Sequence, residues 1–276
     1  MIDLSCHLLE GVEGGPESFQ GSLEMCRRAV GDGVRTIVAT PRWAAHAAAP
    51  PLPFAECERQ LSRLRREMGD ALGLKLGFAL QFGAHLPGLI EKYGARLTLG
   101  GAGTHVLVAL PALDVPREAE EVWAAVARLG LTPVVGRPEC SSGLRHAPER
   151  LDRWVEAGAV VQLDAASVGG TYGREAQRFA WRCIERYAAA SAVVIASNAR
   201  ESGAQRPSLK SAAEGAARKT GTRRARALVE QTPAQIIGEA NRAAHSSSRP
   251  PGVNLTRALA AALRSLLAPK TLPEES

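Results

Sequence analysis

Aromatic side chains make up only 4% of this sequence. Without Phe, Tyr or Trp interleaved among its basic residues, the chain lacks platforms on which bases stack, which argues against nucleic acid as a ligand. The core must then be filled by Ala, Val and Leu. Cysteine is also scarce: Cys6, Cys26, Cys57, Cys140 and Cys183 are odd in number, far apart and contain no Cys-x-x-Cys. That excludes a disulfide framework or a structural zinc site and points to free thiols in a reducing compartment. No segment approaches the ~20 apolar residues that span a bilayer. The opening MIDLSCHLLEG has no basic stretch ahead of an apolar one, so no secretory leader is expected. These absences together predict a cytoplasmic protein.

Familiar catalytic signatures are missing too. There is no P-loop, no G-x-G-x-x-G and no G-x-S-x-G, so neither a nucleotide cradle nor a serine elbow is indicated. Cysteine phosphatases need Cys-x5-Arg around a loop that cradles phosphate. In CSSGLRH, Arg145 comes one position too early after Cys140, and CERQLSR, from Cys57 to Arg63, has the count but reads as helix without glycine.

What the sequence does have is 276 residues, 45% of them hydrophobic, enough to bury a large core without a disulfide or metal staple. Short apolar runs alternate with amphipathic stretches, the pattern of βα units. The runs are Val34–Ala39, Val106–Leu110, Thr132–Val135, Ala159–Leu163 and Ala192–Ala196, with weaker ones at Ile2–Leu4 and Leu74–Leu80. Helical periodicity occupies Ser18–Val30, Pro53–Met68, Pro116–Leu129, Ala147–Glu156 and Tyr172–Tyr187, several followed by the glycine that ends a helix. About seven strands, each followed by a helix, predict a parallel barrel, where chemistry sits just beyond the strand ends.

The net charge of +6 is uneven, because residues 200–276 carry 13 Lys and Arg against 6 Glu. That basic quarter is either a solvated surface or a face for an anionic partner. Residues 244–252 form a Ser/Pro linker, and Asn254–Leu267 repeats Leu and Ala at helical spacing. A barrel over residues 1–240 and a linker with a basic amphipathic helix over 241–276 are expected.

The strand ends carry a specific resemblance. MIDLSCHLLEGVEGG, SLEM and TIVATPRW, followed by LTLGGAGTHVLVALP, GLTPVVGRPE, VEAGAVVQLDAASVGGTYG and VVIASNARESGAQRPSL, occur in the order found in bacterial PHP-type protein-tyrosine phosphatases of the capsule and exopolysaccharide type. PHP denotes the polymerase and histidinol phosphatase superfamily. The resemblance covers roughly residues 1–238 and implies a distorted PHP-type (β/α)7 barrel, here with a short C-terminal helical tail.

The resemblance also implies a cluster of metal ions held by His, Asp and Glu at the strand ends, activating water against phosphotyrosine. At the matching positions this chain has Ser5, Gly14, Arg42, Ala79, Ala109, Arg137, Asn198 and Arg200. Only His7 and the weakly coordinating Glu13 remain, and Ala coordinates nothing. The expectation is therefore a catalytically inactive homologue with no cofactor; manganese or another divalent metal enters only if a reduced or rebuilt site survives, His7 with His46 being the candidate. His85, His105 and His146 fall outside the matching positions.

Three of the lost histidines are replaced by arginine, which stays charged and grips phosphate bidentately. Arg42, Arg137, Glu139, Arg200 and Arg206, the last placed near the substrate phosphate by the resemblance, are the candidates for binding a phosphate or an acidic group. The alternative is that the arginines pair with Glu13 and Glu139 or face solvent. Expected partners are a phosphorylated tyrosine kinase or an acidic protein in exopolysaccharide regulation. A scaffold acting through the terminal helix is the remaining reading.

Overall fold

The structure is a computed structural model, and it describes residues 1–12, 14–43, 52–200 and 209–239. Glu13, His46, Arg206 and the linker and helix expected beyond residue 240 lie outside the described residues.

Among the described residues nine strands alternate with helices. The strands are β1 (Ile2–Cys6), β2 (Thr36–Ala39), β3 (Arg42–Trp43), β4 (Gly73–Leu76), β5 (Ala79–Gln81), β6 (His105–Ala109), β7 (Thr132–Gly136), β8 (Val160–Asp164) and β9 (Val193–Ala196). All pair in parallel, β1-β2-β4 as one sheet and β3-β5-β6-β7-β8-β9 as the other. Two of the breaks are local. Pro41, which has no N–H to donate, separates β2 from β3, and Gly77-Phe78 separates β4 from β5. The backbone bonds Gly77 N–H to Ala39 O (2.9 Å) and Ala79 N–H to Pro41 O (3.2 Å) carry the pairing across. Counted this way there are seven staves, and a bridge between Cys6 and Ala199 joins β9 back to β1. The (β/α)7 barrel of the PHP type is the observed fold, with Leu74–Leu80 realised as two short strands rather than one.

The helices are α1 (Phe19–Gly31), α2 (Phe54–Met68), α3 (Leu86–Tyr93), α4 (Ala119–Arg128), α5 (Ser142–His146), α6 (Pro148–Glu156), α7 (Ala165–Gly169), α8 (Arg174–Tyr187), α9 (Leu209–Thr220), α10 (Thr222–Arg226) and α11 (Thr232–Ile236). The Ser18 side chain caps α1 by accepting from Gly21 N–H at 3.1 Å. The short α3, α5 and α7 were not legible as periodic stretches, since a helix of one or two turns shows too little of its period.

Two cores result. The larger lies between the strands and the outer helices, where β1, β2, β8 and β9 are buried along their whole length; strands covered on both faces read as continuous apolar runs. The smaller fills the barrel interior with Leu4, Val38, Leu107, Val134, Val160 and Val194, and Ile236, the last residue of α11, closes it from below together with Ile237. Among the described residues no helix is long and apolar enough to cross a membrane.

Candidate functional site

The upper end of the interior is where the strands finish, and side chains at two-residue intervals continue the inward face of each. β6 presents Leu107 then Ala109, β7 Val134 then Gly136, and β8 Val160 then Gln162; β9 leads from Ala196 to Asn198. A register irregularity between Asp3 and Cys6 lets Leu4 pack inside while Ser5, one residue on, faces the mouth. Ser5, Leu107, Ala109, Gly136, Gln162 and Asn198, with His7, Arg42, Ala79 and Arg137, enclose a cavity of about 30 Å³, room for a water molecule or two.

The structure thus brings Ser5, Arg42, Ala79, Ala109, Arg137 and Asn198 around one small cavity together with His7. Gly14 and Arg200 lie beside it. Gly14 has φ +83, and a Cβ there would come within 3.1 Å of His7 Nδ1 and 3.4 Å of the Arg200 guanidinium carbon. The His7 ring is the tight neighbour there, and the Arg200 guanidinium is in ordinary contact distance.

Short polar side chains tie the floor together. The Ser5 hydroxyl donates to Asn198 Oδ1 at 2.8 Å and lies 3.1 Å from the Thr40 hydroxyl. His7 and Asn198 are fixed through the backbone, His7 N–H to Ala199 O at 2.9 Å and Asn198 N–H to Ser5 O at 2.8 Å. Asn198 adopts a left-handed backbone with φ 46, a conformation Asn tolerates. Beneath, buried Asp3 accepts from Ser197 N–H (2.9 Å) and from the Ser197 hydroxyl. Burial pushes the Asp3 carboxyl up to about 6 despite these bonds.

On the β7–β8 side a charged group forms that the sequence reading did not assemble. Arg137, also left-handed at φ 54, sets its Nε 3.1 Å from Asp164 Oδ2. The N–H direction misses that oxygen, so this is an ion pair by proximity rather than a linear hydrogen bond. The same guanidinium lies over the Tyr172 ring at 5.3 Å and donates to Cys140 Sγ at 3.4 Å. Asp164 caps α7 by accepting from Ala166 N–H at 2.8 Å, and its carboxyl is raised by burial although Arg137 opposes this. Glu139 is fully buried. Its Oε1 accepts from Asp164 N–H at 2.9 Å while Oε2 has no hydrogen-bond partner, and burial pushes its carboxyl up to about 7. Glu139 therefore supports Asp164 from behind the cavity, and the partner of Arg137 is Asp164.

Gln162 and Asp164 were the residues sequence reasoning missed. Gln162 is the next-to-last residue of the Ala159–Leu163 run and Asp164 follows it, so attention to strand ends would have found them; the resemblance covered this strand but matched no metal ligand to it. The thiol of Cys140 is raised by burial and by Glu139, the opposite of an activated nucleophile. His105 opens β6, at the far end of the barrel, where burial lowers it to about 4. His85 precedes α3 and His146 ends α5, and neither lines the cavity. Among the described residues no three His, Cys, Asp or Glu side chains converge well enough to hold a metal ion, so the described mouth does not fit a multi-ion cluster.

The family "Capsular polysaccharide synthesis, CpsB/CapC" matches residues 1–238. The chain is similar to tyrosine-protein phosphatase YwqE of Bacillus subtilis, 30% identical over 188 residues that cover 67% of this chain and 72% of the relative. It is similar to tyrosine-protein phosphatase CpsB of Streptococcus pneumoniae, 23% identical over 86% of this chain and 98% of CpsB. A crystal structure from work on YwqE and CpsB superimposes with a TM-score of 0.76 at 26% identity, covering 87% of this chain and 95% of the other. Those two proteins are described as unique metal-dependent tyrosine phosphatases. This corrects the expectation that no cofactor is involved: that expectation weighed ligand positions one by one, whereas metal dependence is the property of the relatives, and a divalent metal is the cofactor to be tested. The chain belongs to the CpsB/CapC family of capsular polysaccharide synthesis, the PHP-type tyrosine phosphatases.

Proposed function

We propose that this chain is a capsule-type tyrosine phosphatase homologue that keeps recognition of phosphorylated tyrosine at the barrel mouth and has lost its hydrolytic step. The observation that carries the reading is the mouth itself, where Ala79, Ala109, Gly136 and Asn198 line one cavity together with Arg42 and Arg137. A guanidinium presents paired N–H donors that match a phosphoryl group, and it remains cationic at every physiological pH. Arg137 is held by Asp164 and Tyr172; Arg42 lines the same cavity, and Arg200 lies beside it, near enough to Asp164 for its charge to act on that carboxyl. The cavity between them is smaller than a phosphoryl group, so binding draws the arginines outward rather than filling an existing hole. A cytoplasmic setting, with a phosphorylated kinase or acidic protein of exopolysaccharide regulation as partner, belongs to the same proposal; it is supported by the family and by five cysteines that are all free.

A working phosphatase with a reduced site is the second reading, favoured by the 30% identity to a named tyrosine phosphatase. One experiment separates the two. A phosphotyrosine peptide is offered to the purified protein with added manganese, turnover and binding are measured, and metal content is determined on the same sample. Binding that Arg137→Ala removes, without release of phosphate, is expected. Turnover that His7→Ala abolishes would establish the enzyme instead.

A further inference from the structure

The helix α8 carries an arrangement that the barrel mouth does not explain. Arg174, Arg178, Arg182 and Arg186 recur every four residues along one exposed face, while Ala176, Phe179, Ala180, Cys183 and Ile184 face the core. Like charges four apart on a helix repel, and Arg174, in the first turn, also sits at the positive end of the helix dipole, where cations are disfavoured. The chain supplies counter-charge at only part of the stripe. Asp152 takes Arg186 at 2.7 Å and Arg182 at 3.7 Å, and Glu175 lies 3.9 Å from Arg145. Among the described residues Arg174 and Arg178 have no ion-pair partner.

Beside this stripe runs a groove of about 320 Å³ formed by Arg145, His146, Glu175, Arg178, Phe179 and Arg182. It is some ten times larger than the cavity at the mouth. Arg145 reaches from its wall to donate to the Glu139 carbonyl at 3.0 Å, so the groove starts next to the mouth and leads away from it. His146 turns Nδ1 to the Ser142 carbonyl at 2.7 Å, which makes that nitrogen the donor and leaves Nε2 to the groove side.

We propose that this groove and the arginine stripe of α8 form a docking site for an acidic peptide segment in extended conformation. Four helical residues advance about 6 Å along the axis, and alternate residues of an extended chain advance about 6.6 Å. Carboxylates at every second position of a peptide therefore meet Arg174, Arg178 and Arg182 in register. A peptide is favoured over nucleic acid because Phe179, the aromatic ring in the groove, is buried and offers no face for a base. The site stands independently of the reading given to the mouth.

The test uses the whole protein and a fluorescent peptide with Glu at alternate positions between glycines, free of tyrosine and phosphate. Saturable binding that weakens with salt is expected, with at least a tenfold loss in Arg174→Glu/Arg178→Glu and retention in Arg174→Lys/Arg178→Lys. Circular dichroism checks that each variant is folded, and Arg178→Gln provides a milder change if the double reversal unfolds. Absence of binding, equal binding by wild type and charge-reversed protein, or a duplex DNA binding more tightly than the peptide at equal charge would each overturn the proposal. Because the probe lacks phosphate, these failures leave the mouth untouched, and failure of phosphotyrosine binding leaves the groove untouched.

Discussion

The two ends of the barrel interior are built by the same strands and hold opposite kinds of side chain. Two residues separate Leu107 from Ala109, Val134 from Gly136, Val160 from Gln162 and Ala196 from Asn198, and over that step a sealed apolar layer becomes a small polar cavity. Below, branched side chains interdigitate and Ile236 and Ile237 close the end. Above, side chains shrink or turn polar, and Arg42 of β3 and Arg137 after β7 line the cavity. The lower layer has no chemistry to offer and the upper contributes little packing, so substitutions at the two ends should fail in different ways.

The largest effect is expected below. Leu4 is fully buried in the inner layer, and Leu4→Ala leaves a cavity that the closed barrel cannot collapse, at a cost of about 3 kcal/mol. Urea unfolding measures it. Per folded molecule, phosphotyrosine binding should be unchanged, and a loss under 1 kcal/mol would mean that the interior is not tightly packed.

The next effect lies behind the mouth and depends on pH. Burial lifts Glu139 from 4.5 to about 7, with Asp164 adding to the rise and the Asp164 N–H and Ser167 opposing it. A raised acid binds its proton more tightly when folded, so stability falls as pH rises from about 4.5 to about 7 and is level above. The fall attributable to this carboxyl is about 2 kcal/mol at most between pH 5 and 7. Glu139→Gln should flatten that stretch in denaturation series. Asp3, raised to about 6, should keep its own smaller slope at lower pH.

Arg137→Ala sharpens the contrast from the other side. It strands the buried Asp164 carboxylate, yet Arg137 is itself 30% exposed, which reduces the cost to about 1 kcal/mol. Anion binding at the mouth should nevertheless disappear. A variant that binds phosphotyrosine as wild type does would move the recognition site away from this arginine.

Much of this contrast could be read in the sequence, because a parallel strand covered on both faces announces itself as an apolar run. Val34–Ala39, Val106–Leu110, Thr132–Val135 and Ala192–Ala196 each contain or overlap the strand observed. The breaks at Pro41 and Gly77 were not foreseen, since they depend on where the neighbouring stave supplies carbonyls. Ser5, Ala79, Ala109 and Asn198, which the family resemblance had singled out, line one small cavity. The sequence could not reveal that Arg137 is held by Asp164, because that pairing rests on a left-handed backbone at Arg137 that no local pattern announces. The absence of a cofactor was inferred from missing ligands, and the relatives overturn it: residue-by-residue substitution describes ligand positions, whereas metal dependence was established on whole proteins.

The smallest effect belongs to α8, where the sequence had displayed an arginine every four residues without its meaning being apparent. Arg178 has Arg174 and Arg182 as neighbours one turn away on either side, and each like-charge pair costs a few tenths of a kcal/mol. Glu175, three residues before Arg178, offsets one of the two repulsions, so Arg178→Ala should stabilise the protein by about 0.2 kcal/mol at low ionic strength, helped by the better helix propensity of Ala. The gain should shrink in high salt, where screening already relieves the repulsion. Thermal unfolding at two salt concentrations measures both. A residue whose removal improves the folded state is retained for something other than folding, and a loss of stability in its place would show that Arg178 already has a counter-charge.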